Sequence, residues 1–211
     1  MTELDERTTK LRQKILDVSL EVFGREGFRN TDVQIIADRA EVGKGTVYRH
    51  FGNKEQLFLA TSRHCMERLD QYIEEKVLGN EEPINVVQRT GLFDLLRRAA
   101  LAYAEFYQRN PLAIEIMVQE RAEFRESVFP THLSFRGERR SRGEQVFEHA
   151  LQTGEIRRVD VARTLDAYLD LLFGSVICGC LGGQETELAK RVELAVDIFL
   201  DGLANREQAG S

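Results

Sequence analysis

The sequence predicts an all-α protein: an N-terminal three-helix domain with a helix-turn-helix, then a larger helical domain, about nine helices in all. Three observations carry the prediction. Apolar residues recur at the 3.6-residue period of amphipathic helices along most of the chain. Only three prolines interrupt 211 residues. Near the N-terminus two short helical segments are separated by only Glu41 and Val42, and two helices joined by a turn this tight describe a helix-turn-helix.

Taken in order, residues 8–27 read as a first helix, with Leu11, Ile15, Leu16, Ser19, Leu20, Val22 and Phe23 as its inward stripe. Gly24 and Gly27 stand near its end, where a left-handed cap is needed. Thr31-Asp32-Val33-Gln34 fits a capping box, with the Thr31 hydroxyl accepting from the Gln34 amide and the Gln34 side chain reaching back. Val33, Ile36, Ala37 and Ala40 then form the inner side of the second helix. Val42, Val47 and Phe51 pin the third, residues 43–51, and Asn53 opens a fourth running to about Leu78. The polar stretch 79–83 is the clearest break. Beyond it the periodicity predicts helices over 84–109, 112–124, 130–153, 160–181 and 185–204, with a frayed polar tail after Asn205. The domain division follows: 1–53 for the helix-turn-helix and 54–211 for the remainder.

Composition narrows the class. With 42% hydrophobic residues, the chain can bury a sizeable core. No apolar run reaches the ~18 residues of a membrane span, and the charged N-terminus does not read as a leader. Three cysteines, an odd number, fit a reducing compartment better than a disulfide framework. The expectation is a cytoplasmic protein without membrane, metal or cofactor. The net charge of −6 looks unsuited to nucleic acid until it is located. Residues 1–60 hold ten Lys/Arg against ten Asp/Glu, so the whole excess of acid lies beyond them. Phosphate affinity depends on local cations, and the N-terminal segment retains them.

The third helix carries the chemistry. Phosphate anchoring wants cations and hydroxyls around a docked helix, and Thr31, Gln34, Thr46, Tyr48, His50 and Lys54 are the candidates. Lys44 and Arg49 are placed to donate to guanine O6 and N7. Gly45, without a side chain, permits close approach of the helix backbone. Packing and solvation are the plainer roles for Tyr48, His50 and Lys54.

Residues 12–58 resemble the TetR/AcrR-type transcriptional regulators. The resemblance rests on Ile15-Leu16, Leu20, Phe23, Gly27-Phe28, Thr31, Val33, Ile36-Ala37, Ala40, Val42, Lys44-Gly45-Thr46-Val47-Tyr48, His50-Phe51, Lys54-Glu55 and Leu57. It implies a three-helix DNA-binding domain, a connecting fourth helix and a variable effector domain that dimerises through its last two long helices. It also favours a repressor over an activator. Two positions depart from the pattern. Glu41 stands where the family usually has Gly, at a cost on the order of 1 kcal/mol if its φ is positive. Gly43 replaces the usual Ser or Thr and forgoes a hydroxyl cap worth a few tenths of a kcal/mol.

A helix-turn-helix usually reads two half-sites as a dimer. Gly174, Ser175, Cys178 and Gly182 form a small-residue stripe on helix 160–181, and Val192, Ala195 and Phe199 give the last helix an apolar face. Internal packing is the alternative for each. Phe93, Arg97, Tyr103, Tyr107, Glu120, Phe124, Phe147 and Tyr168 are candidates to line a pocket for a small, largely apolar effector; ordinary core is the alternative here. The expected partners are double-stranded operator DNA, that effector and a second copy of the chain. Catalysis is disfavoured: there is no His-Glu-x-x-His, phosphate loop or nucleophile elbow. A non-specific architectural DNA binder remains the alternative from another class.

Overall fold

The computed structural model describes residues 3–79, 81–125 and 128–204, so the tail expected after Asn205 lies outside the described residues. They form ten α-helices: α1 (Glu3–Glu26), α2 (Val33–Arg39), α3 (Lys44–Phe51), α4 (Lys54–Ile73), α5 (Pro83–Thr90), α6 (Leu92–Arg109), α7 (Leu112–Glu123), α8 (Thr131–Gln152), α9 (Val161–Leu181) and α10 (Leu188–Leu203). A π-helical turn, Glu74–Leu78, extends α4, and a 3-10 turn, Glu185–Glu187, precedes α10. The fold is all-α as expected. Two compact units make it up: Met1–Arg68 with Leu112–Phe135, and Leu69–Pro111 with Arg136–Ser211.

In the first unit α1 buries Ile15, Leu16, Leu20, Val22 and Phe23, the stripe its periodicity marks out. The start of α2 differs from the expected capping box. Asp32 is the N-cap, its Oδ1 accepting from the Gln34 amide at 2.9 Å. Thr31 is buried and donates its hydroxyl to the Gly27 carbonyl at 2.8 Å, while the Gln34 side chain donates forward to Asp38 at 2.7 Å. An ionised carboxylate is the stronger acceptor for an orphan helix amide, and the end of α1 needs the Thr31 hydroxyl. In the turn before α3, Glu41 takes φ of 60°, the left-handed conformation its position implies. Gly43 caps α3 without any side-chain hydrogen bond. Asn53 Oδ1 accepts from the Gln56 amide at 2.8 Å and opens α4 as expected.

Four phenylalanines close this unit. Phe23 and Phe58 lie 5.1 Å apart between ring centroids, Phe28 and Phe58 5.3 Å, and Phe28 and Phe124 5.0 Å. These edge-to-face contacts are favoured by the ring quadrupoles. α7 is clamped onto the end of α1 by one amide: Gln119 Nε2 donates to the Phe23 carbonyl at 3.0 Å, and its Oε1 accepts from the Phe28 amide at 2.9 Å. Gly24 makes that approach possible, since a Cβ there would meet Leu112 Cβ at 2.9 Å.

In the second unit the single helix expected over 84–109 is two. Gly91, at φ 85° and ψ 162°, breaks it into α5 and α6. Glu155 makes the break stable: its Oε1 accepts from the Leu92 amide at 2.8 Å and the Phe93 amide at 3.3 Å. Periodicity misses the break because the apolar face continues across it. α8, with two glycines and a run of arginines, holds its helix partly through ion pairs. Arg136 meets Asp170 at 2.8 Å, Arg140 meets Asp166 at 2.7 Å, and Arg139 Nε meets Asp70 at 2.7 Å. The inner faces of α6, α9 and α10 supply Leu96, Ala100, Leu172, Val176, Val192, Val196 and Leu200.

Replacing Glu155 by Ala removes the acceptor from the first turn of α6 and is expected to cost about 1–2 kcal/mol of stability. Chemical denaturation of the full chain, read by circular dichroism, checks it.

Candidate nucleic-acid interface

An eight-residue helix is too short to persist alone, so α3 depends on what holds its inner side. Val47 is fully buried and Phe51 nearly so. The Arg12 guanidinium lies 4.4 Å from the Phe51 ring centroid, and its Nη1 donates to the His50 carbonyl at 3.0 Å. Arg12 thereby satisfies an orphan carbonyl at the helix end, where a cation also suits the dipole. Nothing local marks Arg12 for this task, because its partner stands 38 residues away.

The outer side is left to solvent. Arg49 is exposed, without a hydrogen-bond or ion-pair partner among the described residues, and Tyr48 is 37% exposed. Gly45 is exposed, and a Cβ placed on it would meet nothing within 4 Å. Nothing in the fold therefore demands glycine there. Thr46 and His50 are half-buried, and Gln34 is exposed at the start of α2.

Three candidates carry structural duties. Thr31 is 3% exposed, so its hydroxyl is committed to α1 and not open to a phosphate; the adjacent Asp32 stands there instead. Lys54 donates to the Arg29 carbonyl at 3.1 Å and lies 4.9 Å from the Phe28 ring centroid, tying the start of α4 to the turn after α1. Lys44 lies 2.9 Å from Asp32 Oδ1. The hydrogen bond from the Gln34 amide, then that from Lys44, holds the Asp32 carboxyl below its ordinary range. Asp32 is the residue the sequence reading overlooked, although an Asp two residues before an orphan amide is a recognised cap signal.

The eight effector candidates divide between the two units. Glu120 and Phe124 belong to the first unit and the other six to the second. Glu120 is buried, accepting from the Ser62 hydroxyl and, at 2.7 Å, from the Thr131 amide. Phe124 sits in the phenylalanine cluster. Tyr107 and Phe147 are fully buried core, and Phe93 and Tyr103 are half-buried. The Tyr168 hydroxyl donates to the Leu96 carbonyl at 2.6 Å, and burial raises its pKa. Arg97 pairs with Asp197 at 2.9 Å beside an open groove of about 220 Å³. Polar groups spent on the protein's own backbone and carboxylates are not free to orient a ligand.

Of the interface candidates, Val192 is fully buried within the chain, because the inner side of α10 needs it. Its exposed neighbours are Leu194 and Ile198, 65% and 66% exposed, with Leu181 at 67% on α9. Cys178 and Gly182 are exposed, and Gly174, Ser175, Ala195 and Phe199 half-buried. Gly179, beside that stripe, serves an internal contact: a Cβ there would come within 2.4 Å of Leu188 Cδ2.

Two short helices locked from behind, the second presenting Arg49, Tyr48 and a bare glycine backbone outward, define a helix-turn-helix DNA-binding regulator. Residues 15–61 match the family described as bacterial regulatory proteins, tetR family. The transcriptional repressor KstR of Mycolicibacterium smegmatis is 29% identical over 196 residues, covering 90% of this chain and 86% of that protein. Among solved structures, a TetR-family regulator from Mesorhizobium loti superposes with a TM-score of 0.72 at 18% identity, covering 94% of this chain and 98% of that one. FadR from Bacillus subtilis, solved in complex with stearoyl-CoA, gives 0.71 at 18% identity, covering 90% and 98%. Residues 15–61 thus carry the sequence pattern of the tetR family, and the chain as a whole has the fold of the solved TetR-family regulators.

Gly45→Ala is expected to retain or slightly raise thermal stability, since Ala is the better helix former by roughly 0.5–1 kcal/mol. It is expected to weaken DNA binding if the backbone closes on the duplex there. Thermal unfolding and mobility shift on the same preparation separate the two effects.

Proposed function

We propose that the chain is a repressor that binds a palindromic operator as a homodimer and leaves it when a small, largely apolar effector binds. Residues 1–53 read the DNA and 54–211 carry the effector site and the dimer contact. The observation that carries the reading is the division of α3 into a locked inner side and an open outer side bearing Arg49. In this reading Arg49 and Lys44 address base edges, while Gln34, Thr46, Tyr48, His50 and Lys54 position the helix against phosphates.

Dimerisation is supported by what α9 and α10 leave uncovered. α9 is long and apolar enough to cross a membrane by length and composition, yet only 28% of its most apolar window is buried. With Leu181, Leu194 and Ile198 outward, that surface suits a second copy better than water. Pairing through it would join two reading heads in one particle, as a site with half-sites ~34–36 Å apart or a multiple of this requires. For the effector, the stearoyl-CoA held by the FadR neighbour makes long-chain acyl thioesters the first class to test. The site of action is the cytoplasm, where the DNA lies.

Sites selected from random duplex by the purified chain should be palindromic, and footprinting should protect two half-sites. Arg49→Ala should weaken the selected site by ~1–3 kcal/mol, while Lys54→Ala should weaken all duplexes alike and lower the salt slope by about 1. Mobility shifts at two salt concentrations check both; unaltered binding by both variants overturns the assignment. Aspartates at Leu194 and Ile198 should raise the dimer dissociation constant at least ~100-fold, as each buried apolar side chain is worth about 1.5–3 kcal/mol. Light scattering measures this, with helicity as the check on folding.

A further inference from the structure

Lys44 has a partner before DNA arrives. Its ammonium lies 2.9 Å from Asp32 Oδ1, the oxygen that also caps α2. Both side chains are open to water, 38% and 61% exposed. A pair this exposed adds little to the fold, and the cap alone does not require a charge, since Asn or Ser serves as well. Lys54 also acts on the Asp32 carboxylate, so this acid stands among the cations assigned to DNA.

The consequence follows from how cations bind duplexes. Non-specific affinity comes from lysines and arginines that release counterions condensed on the phosphates. A lysine already neutralised by its own carboxylate releases less, and a phosphate approaching it comes well inside the Debye length of that carboxylate. A base edge is different. The ammonium has three donors; one is held by Asp32, and the others can go to uncharged guanine O6 and N7 without displacing it.

We propose that Asp32 is a specificity-determining residue: it occupies Lys44 in the free protein and turns that lysine from arbitrary phosphates towards base edges. Asp32 thus lowers binding to random sequence more than binding to the operator. This rests on the assignment of Lys44 to the DNA face made above.

The test compares the full-length chain with Asp32→Asn and Asp32→Ser, both of which keep the capping acceptor, on random-sequence duplex and on the duplex selected by the unaltered chain. Both variants are expected to bind random duplex about 5–10-fold more tightly near 50 mM salt, with a salt slope steeper by about 1. The ratio of selected to random affinity is expected to fall. In a Lys44→Gln background, Asp32→Asn should have no effect. Unchanged or weaker binding of random duplex by variants that unfold at the normal temperature overturns the proposal. Lys44→Gln alone separates the two layers: if it leaves binding intact, the placement of Lys44 at DNA falls and this inference with it. If it weakens binding while the Asp32 variants change nothing, only the role of Asp32 falls.

Discussion

The reading head depends on burial behind two helices that could not survive in isolation. α2 and α3 have seven and eight residues, below the length at which backbone hydrogen bonds offset the entropy of nucleation. Val33, Ile36 and Ala37 from one, and Val47 and Phe51 from the other, are buried and supply the missing free energy. Burying a Val, Ile or Phe side chain is worth about 1.5–3 kcal/mol, so the four larger residues, with Ala37 contributing less, decide the outcome. The same burial fixes which side of α3 remains outward. Stability and the presentation of Arg49 are one constraint.

Around that contact the unit is tied by bonds of long sequence separation. Arg12 closes the end of α3, Lys54 holds the turn after α1, and Gln119 clamps α7 to the Phe23 carbonyl of α1 and the Phe28 amide beyond it. The phenylalanine cluster brings residue 124 into the same unit as residue 23. A helix distant in sequence is thereby part of the body that presents the DNA-binding surface. In the second unit the outward side of α9 and α10 is apolar. Among the described residues Leu181, Leu194 and Ile198 stay 65–67% exposed, more open than the apolar residues on the inner side of the same helices.

How much was legible follows from the range of each interaction. The helix-turn-helix and the cap at Asn53 are local and showed in the residues themselves, while the left-handed Glu41 and the uncapped Gly43 followed from comparing those positions with the family pattern. The exchange of roles between Thr31 and Asp32 was not legible, because both can cap and the choice turns on the Gly27 carbonyl. The break at Gly91 escaped because its stabilising acceptor, Glu155, lies more than sixty residues away. The effector candidates were drawn from aromatic and polar residues of the right type. Their hydrogen bonds to Leu96, Thr131 and Asp197 could not be foreseen from type alone.

By itself the sequence determined the helical class and the position of the helix-turn-helix. These follow from periodicity, capping chemistry and spacing, all of which act within a few residues. Only the tertiary structure decided which polar groups are already satisfied. Thr31, Glu120 and Tyr168 are committed to the chain's own backbone and hydroxyls, Val192 is committed to the inner side of α10, and Lys44 leans on Asp32. A buried or paired group has its partner chosen by packing between segments far apart, and no local pattern encodes that choice.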